Sequence, residues 1–344
     1  MTRRSDECLS QPGNELSITL AMLTFRRTHL LADGVSALAA ACAGYPHAEI
    51  LIVDNDPDAS ARGLVHEVDR RLNALTIRYA HEPRVGIAAA RNCALDGARG
   101  DILVFIDDDE VPTSGWLEKM MGMYCRSSPT AVVGPVRHEF EVDPGPWILA
   151  GGFFHRRREQ DGARIGEGAS NNMLLDMRQV RVLGTRFDDR LGLTGGEDSL
   201  FTKQLVKSGG QIVWCDDAEV VDLVPRSRIS RQWVLRRAFR LGNTPPRVDL
   251  LMAETPWARS QTRLRYAIRG LARIAIGGLR SVWGAIVFNR RHRARGARTA
   301  SRGAGMLAGA IGYQYTEYAR AADPGGRTQT GDSPGKDDVA DAAE

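Results

Sequence analysis

Four carboxylates stand in a row at Asp107-Asp108-Asp109-Glu110, directly after the apolar run at residues 102–106. Side by side they repel one another unless something positive neutralises them. A divalent cation that takes hard oxygen ligands does so, and a diphosphate can share that cation. A solvated acidic turn at a strand end would carry the same residues. Asp54-Asn55-Asp56-Pro57 closes a second apolar run. There Asp54 is placed to accept hydrogen bonds from a base or a ribose, or simply to build an Asx turn. Gly195-Gly196-Glu197-Asp198 sets two carboxylates just ahead of a helix. One of them suits a general base for a hydroxyl; the plainer reading is that they cap the helix and favour its dipole. Arg84, Arg91 and Asn92 lie ahead of and within the helix before the acidic run. Guanidinium groups there can meet phosphate oxygens, although any surface helix carries such residues.

The elements that must position these groups follow from the patterning. Apolar or β-branched runs at 16–25, 49–54, 76–80 and 102–106 read as strands, and the stretches 29–43, 60–73 and 86–98 between them read as helices. This alternation predicts an α/β fold with a mostly parallel, doubly wound sheet flanked by helices. Ligands of such sheets bind beyond the carboxyl ends of the strands, which is where both Asp54 and Asp107 fall. Further strands are expected at 132–136, 172–175 and 211–215, with a helix at 199–207. The stretch 143–168, rich in Gly, Pro and Arg, is expected to be a loop over the site. Residues 1–15 and 323–344 are polar and non-periodic, and disorder is expected there.

With 344 residues, 43% of them apolar, the chain can bury one large core and carry a smaller appended piece. Its five cysteines are scattered, without a C-x-x-C pair, so neither a disulfide framework nor a zinc cage is expected. The N-terminus has no apolar signal region, and a cytoplasmic location follows as the expectation. Net charge is only +4, but residues 255–316 hold twelve arginines and no Asp, Glu or Lys. Such segregation signals a polyanion. Over 263–288, Leu264, Ile268, Leu271, Ala275, Leu279, Val282 and Ile286 recur at steps of three or four, and Arg265, Arg269 and Arg273 follow another face. Gly277-Gly278 is expected to break or bend the run. Arginine near a bilayer centre costs roughly 2.5–3.5 kcal/mol on insertion scales, so Arg273 and Arg280 disfavour a membrane span. An interfacial helix on an anionic membrane surface fits better; an ordinary helix packed on the body is the alternative. No aromatic-interleaved basic platform points to nucleic acid.

Taken in chain order, Thr24-Phe25-Arg26-Arg27, Val53-Asp54-Asn55, Gly86 with Arg91-Asn92, the acidic run, Asn171-Asn172, Phe187-Asp188 and Gly196-Glu197-Asp198 resemble glycosyltransferase family 2. The resemblance covers about residues 16–245 and implies inverting enzymes with a GT-A fold. It implies that Thr24, Arg27, Asp54, Arg91, Asp107, Asp108, Arg237 and Arg240 bind a nucleotide-sugar donor. Mg²⁺ or Mn²⁺ would be held by Asp109 and Asp107, with Asp222, and Asp198, beside Glu197, would be the catalytic base. Two positions depart from the family. Arg26 stands where Asn is usual, and Asp222 where a His usually follows the strand, which bears on the metal contact. The organisation implied is a disordered 1–15, a GT-A domain over 16–245, an arginine-rich helical extension over 246–322 that associates with the inner face of the cell membrane, and a disordered 323–344. The acceptor is expected to be a lipid-linked or other cell-envelope glycan. A sugar-phosphate nucleotidyltransferase is the rival enzyme class, but it needs a Gly-rich basic loop where Thr24-Phe25-Arg26-Arg27 stands. A non-catalytic nucleic-acid binder is the third reading.

Overall fold

The computed structural model describes residues 16–72 and 75–316, so the expected disordered ends at 1–15 and 323–344 lie outside the described residues. Strands β1 (Ile18–Thr24), β2 (Ala48–Asp54), β3 (Thr76–His81) and β4 (Ile102–Asp107) pair in parallel in the order β3-β2-β1-β4. Every residue of β1 is buried, as apolar strands covered on both faces require. Ile18, Leu20 and Met22 point to one face, where helices α1 (Thr28–Ala41) and α2 (Arg62–Leu72) supply Leu31, Val35, Leu38, Val65 and Val68. Ala21 and Leu23 point to the other, against Ala88, Ala90 and Ala94 of α3 (Ile87–Gly97). The predicted α/β sandwich is therefore present, with strand ends displaced by a residue or two.

Beyond it come β5 (Glu110–Pro112), α4 (Trp116–Ser127), β6 (Ala131–Val133), β7 (Val136–Phe140), α5 (Gly145–Gly151), β8 (Arg164–Ile165), β9 (Asn172–Asp176), α6 (Met177–Leu183), α7 (Glu197–Lys207), β10 (Ile212–Trp214) and β11 (Val220–Val224). β9 runs antiparallel between β4 and β6, β10 follows β6 in parallel, and β8 closes the edge. A second sheet has the order β5-β11-β7. The expected single strand at 132–136 is thus two strands in two sheets. Gly134-Pro135 makes the break: a β-carbon on Gly134 would lie 2.2 Å from the Ala218 carbonyl oxygen, and Pro135 has no N–H to give a ladder. The stretch 143–168 is not a bare loop but holds α5 and β8. Helix α7 starts two residues earlier than expected, which puts Glu197 and Asp198 inside its first turn.

Three long helices complete the described residues: α8 (Arg231–Met252), α9 (Pro256–Ile286) and α10 (Arg290–Ala310). Helix α8 runs straight through the expected boundary at 245, so the body and the extension share it. Gly277-Gly278 does not break α9. A β-carbon on Gly277 would lie 2.5 Å from the Ala300 nitrogen and 2.7 Å from the Gly296 oxygen, and Gly270 and Gly303 approach the same way. The glycines are there to let α9 and α10 touch backbone to backbone. Because that seam faces inward, the apolar stripe faces out: Leu264, Ile268, Leu271, Leu279, Val282 and Ile286 are each more than half exposed. Among the described residues, no helix is long and apolar enough to cross a membrane. Among the described residues, Cys42, Cys93 and Cys215 are free thiols and Cys125 is disulfide-bonded.

Candidate active site

A cleft of about 570 Å³ opens at the carboxyl ends of β1, β2 and β4. Its floor is the acidic run. Thr24 donates its hydroxyl to Asp108 at 2.9 Å, and Arg27 reaches both Asp108 and Asp109 at 3.0 Å. Arg228 joins Asp109 at 3.3 Å. Burial, with the like charges of Asp109 and Asp108, pushes Asp107 up to about 6 against the pull of Arg91. Burial also raises Asp108, and it raises Glu110 well above the usual carboxylate range. Arginines therefore hold a carboxylate cluster that would otherwise resist ionisation.

Arg26 sits in the left-handed backbone region at φ 54°. Asn and Gly enter that region easily and long side chains do not. Here the guanidinium is held by Asp56 at 3.0 Å and Asp58 at 3.2 Å and lies over the Phe25 ring.

Asp54 is fully buried and does not line the cleft. One oxygen accepts from the Asp56 amide at 3.0 Å; the other accepts from the Ala61 amide at 2.8 Å and the Tyr79 hydroxyl at 3.0 Å. Its neighbour Asn55 faces the cleft instead, tied to the Gly86 amide and the Glu82 and Arg84 carbonyls. Arg91 is likewise buried beneath the cleft. It pairs with Glu197 and lies 3.9 Å from Asp107, and so bridges the acidic floor to the first turn of α7. Burial pushes Glu197 up to about 7, with Arg91 pulling the other way. Arg237 and Arg240 line the cleft as the resemblance implies. Arg237 donates to the Phe153 carbonyl at 2.9 Å and stacks on Phe154 and Trp233. Burial, with Arg156 and Arg240 close by, lowers it to about 9.

A larger cleft, about 1540 Å³, adjoins the first, and His138, Phe154, Arg156 and Asn171 line both. Asp198 opens into this larger space, with one oxygen accepting from the Ser199 amide at 2.7 Å. Glu197 points the other way, into the protein. The two carboxylates that are adjacent in sequence thus divide between a buried ion pair and an open cleft.

Asp222, on β11, lines the smaller cleft and meets neither Arg226 nor Arg228 in a direct ion pair. It accepts a hydrogen bond from His138 Nδ1 at 2.9 Å. Burial tends to raise Asp222, but the His138 contact prevails and holds it below the usual range, while burial lowers His138. His138, Arg156 and Phe154 were not singled out by sequence reasoning. Arg156 had a signal in the run His155-Arg156-Arg157-Arg158; His138, alone in a short strand, had none. Among the described residues, no three His, Cys, Asp or Glu side chains converge as a ready cation cage. Orphaned atoms of Glu110 and Asp222 nonetheless remain buried at the cleft wall. Such a donor set fits an ion that takes one or two protein carboxylates and completes its shell with phosphate oxygens and water.

The comparisons with known proteins agree with this geometry. The family model described as Glycosyl transferase family 2 matches residues 19–177. The chain is 31% identical over 311 residues to the succinoglycan biosynthesis protein ExoM of Rhizobium meliloti (strain 1021), covering 89% of this chain and 96% of that protein. Over 118 residues it is 28% identical to the UDP-Glc:alpha-D-GlcNAc-diphosphoundecaprenol beta-1,3-glucosyltransferase WfgD of Escherichia coli, covering 34% of this chain and 44% of that one. Among solved structures it shares the fold of the mannosyltransferase PcManGT of Pyrobaculum calidifontis, solved with GDP-Man and Mn²⁺. That match has a TM-score of 0.57 and 18% identity, over 89% of this chain and 92% of the other. Fold and site together define a nucleotide-sugar glycosyltransferase of GT-A type. The chain belongs to glycosyltransferase family 2.

Proposed function

We propose that the protein is a metal-dependent, inverting glycosyltransferase that uses the smaller cleft for the nucleotide-diphosphate donor and the larger one for the acceptor. The observation that carries this reading is the adjacency of the two clefts: an arginine-braced carboxylate cluster floors one, and Asp198 opens into the other. Thr24, Asn55 and Arg27 border the space for the nucleotide, and Arg228, Arg237 and Arg240 face the space for its diphosphate. Mg²⁺ or Mn²⁺ would be held by Asp109, with Asp107 and Asp222 beside it. When bound, the ion supplies Lewis-acid stabilisation to the leaving diphosphate. Arg27 and Arg228, which brace these carboxylates, would also meet phosphate oxygens of the bound donor.

In the transfer, the Asp198 carboxylate takes the proton from the acceptor hydroxyl. The hydroxyl oxygen bonds to the anomeric carbon as the carbon–oxygen bond to the diphosphate breaks, and the arginines receive the released negative charge. One in-line displacement inverts the anomeric centre. The rival nucleotidyltransferase would instead release pyrophosphate. Incubation with a panel of nucleotide sugars should yield nucleoside diphosphate and a product of inverted anomeric configuration. Pyrophosphate release, or retained configuration, would reject the reading.

The acceptor proposed is a lipid-linked or cell-envelope glycan, met at the inner face of the cell membrane. The outward apolar stripe of α9 and the acid-free arginines of α9 and α10 support this. So does the diphosphoundecaprenol-linked acceptor in the name of the Escherichia coli relative.

A further inference from the structure

The small sheet β5-β11-β7 forms one wall of the smaller cleft, and a single rung of it carries three ionisable side chains. Asp222 of β11 is in register with Glu110 of β5 on one side and His138 of β7 on the other. All three line the cleft. Each also keeps a buried polar atom without a hydrogen-bond partner: Glu110 Oε2, Asp222 Oδ1 and His138 Nε2. The side chain of His138 is only 5% exposed. A buried polar atom left unpaired is costly, and such atoms are rare in folded proteins. Three on one rung of one sheet leave that rung open to a ligand, although the three side chains do not by themselves converge as a cation cage.

The remaining atoms of the rung fix its chemistry. The Asn171 amide donates to Glu110 Oε1, and His138 Nδ1 donates to Asp222 Oδ2 at 2.9 Å. A carboxylate only accepts, so the proton of the neutral ring sits on Nδ1 and Nε2 keeps an unpaired lone pair, buried in a residue that lines the cleft. A carboxylate that orients an imidazole through the far nitrogen is the usual support of a histidine metal ligand.

We infer that His138 is a ligand of the divalent cation through Nε2, with Asp222 as its positioning residue and Glu110 beside them. The ligand is thus carried on β7, in register with Asp222 on the neighbouring strand β11. The inference rests on the metal-dependent reading above. It also predicts a metal preference, because imidazole nitrogen suits transition metals better than Mg²⁺. Loss of the ring should therefore weaken Mn²⁺ or Co²⁺ binding more than Mg²⁺ binding.

The test is pulsed electron paramagnetic resonance of Mn²⁺ on the full chain with UDP or GDP, alongside titration of the free-ion signal. The wild-type protein should show nitrogen coupling to the bound ion. His138→Gln should lose that coupling and bind Mn²⁺ at least about tenfold more weakly; Asp222→Asn should keep the coupling while affinity falls about 10–100-fold. Mn²⁺ bound without nitrogen coupling in the wild-type protein would overturn the inference without any variant. Unchanged affinity in a folded His138→Gln protein would also overturn it, and both results would leave the glycosyltransferase reading standing. Failure of the wild-type protein to bind Mn²⁺ with either nucleotide would reject metal dependence itself, and this inference with it.

Discussion

The smaller cleft and the α9–α10 hairpin are both rich in arginine, yet they treat the charge in opposite ways. Around the cleft each guanidinium that braces the floor has a carboxylate: Arg27 with Asp108 and Asp109, Arg228 with Asp109, Arg91 with Glu197. The hairpin carries no carboxylate of its own, and Arg265 meets one outside it, Asp249 of α8. Burial lowers Arg298, with Arg295 and Arg280 pressing on it, and burial lowers Arg302, with Arg273 and Arg298 beside it. The cleft holds matched charges that a ligand can exchange into, whereas the hairpin holds one sign only and turns its apolar side chains outward. In our account the first is built for a bound donor and the second for an external anionic surface.

The largest effect that tests this comparison lies between the clefts. Asp198→Asn should lower transfer by about 10²–10⁴-fold while donor affinity, measured by calorimetry, stays near wild type. Loss of donor binding instead would place Asp198 in the smaller cleft's work. On the hairpin, a triple Leu264→Ser, Leu271→Ser, Leu279→Ser protein should bind anionic vesicles at least about tenfold more weakly, since each leucine contributes up to about 1.5–3 kcal/mol when buried. Its melting temperature should hardly move, because these side chains are exposed. Wild-type vesicle binding should fall as salt rises, the Debye length shrinking to about 3 Å at 1 M. Binding that ignores both lipid charge and salt would break the comparison.

A smaller effect is expected inside the hairpin. Gly277→Val forces side-chain atoms into the Ala300 backbone and should cost about 1–3 kcal/mol, read as a lowered unfolding midpoint; an unchanged midpoint would show that the helices do not rely on that close approach. The smallest concerns Asp249, which ties the hairpin to the body by accepting from Lys203 at 2.8 Å, Arg265 at 3.0 Å and Tyr266 at 2.6 Å. Although burial tends to raise it, these contacts hold its carboxyl below the usual value. A lowered folded-state value means that its stabilisation is present above the ordinary aspartate range and fades as pH falls below about 4. Asp249→Asn should cost about 1–2 kcal/mol at neutral pH and narrow its gap to wild type on acidification. A gap that widens in acid would contradict this.

Much of the body was legible because its signals are local and periodic. An apolar strand ending in Asp107-Asp108-Asp109 announces a strand-end site whatever surrounds it. Less legible was anything decided by long-range contact. Nothing near Asp54 in sequence reveals that Tyr79 and the Ala61 amide saturate its carboxylate. Arg91 looks like a phosphate-binding arginine until Glu197, distant in sequence, is seen beside it. His138 acquires meaning only from strand register with Asp222, 84 positions away. In the hairpin, the pair Gly277-Gly278 suggests a break, and only the partner helix shows that Gly277 lies in a contact seam.

Metal dependence is the central claim, and transfer measured across a metal series tests it most directly. With a turned-over donor in hand, activity should vanish in excess EDTA and return with Mn²⁺ or Mg²⁺. The Asp109→Ala protein should stay about 10²–10³-fold below wild type at every metal concentration. Full turnover in EDTA, or an Asp109→Ala enzyme as active as wild type, would contradict the account.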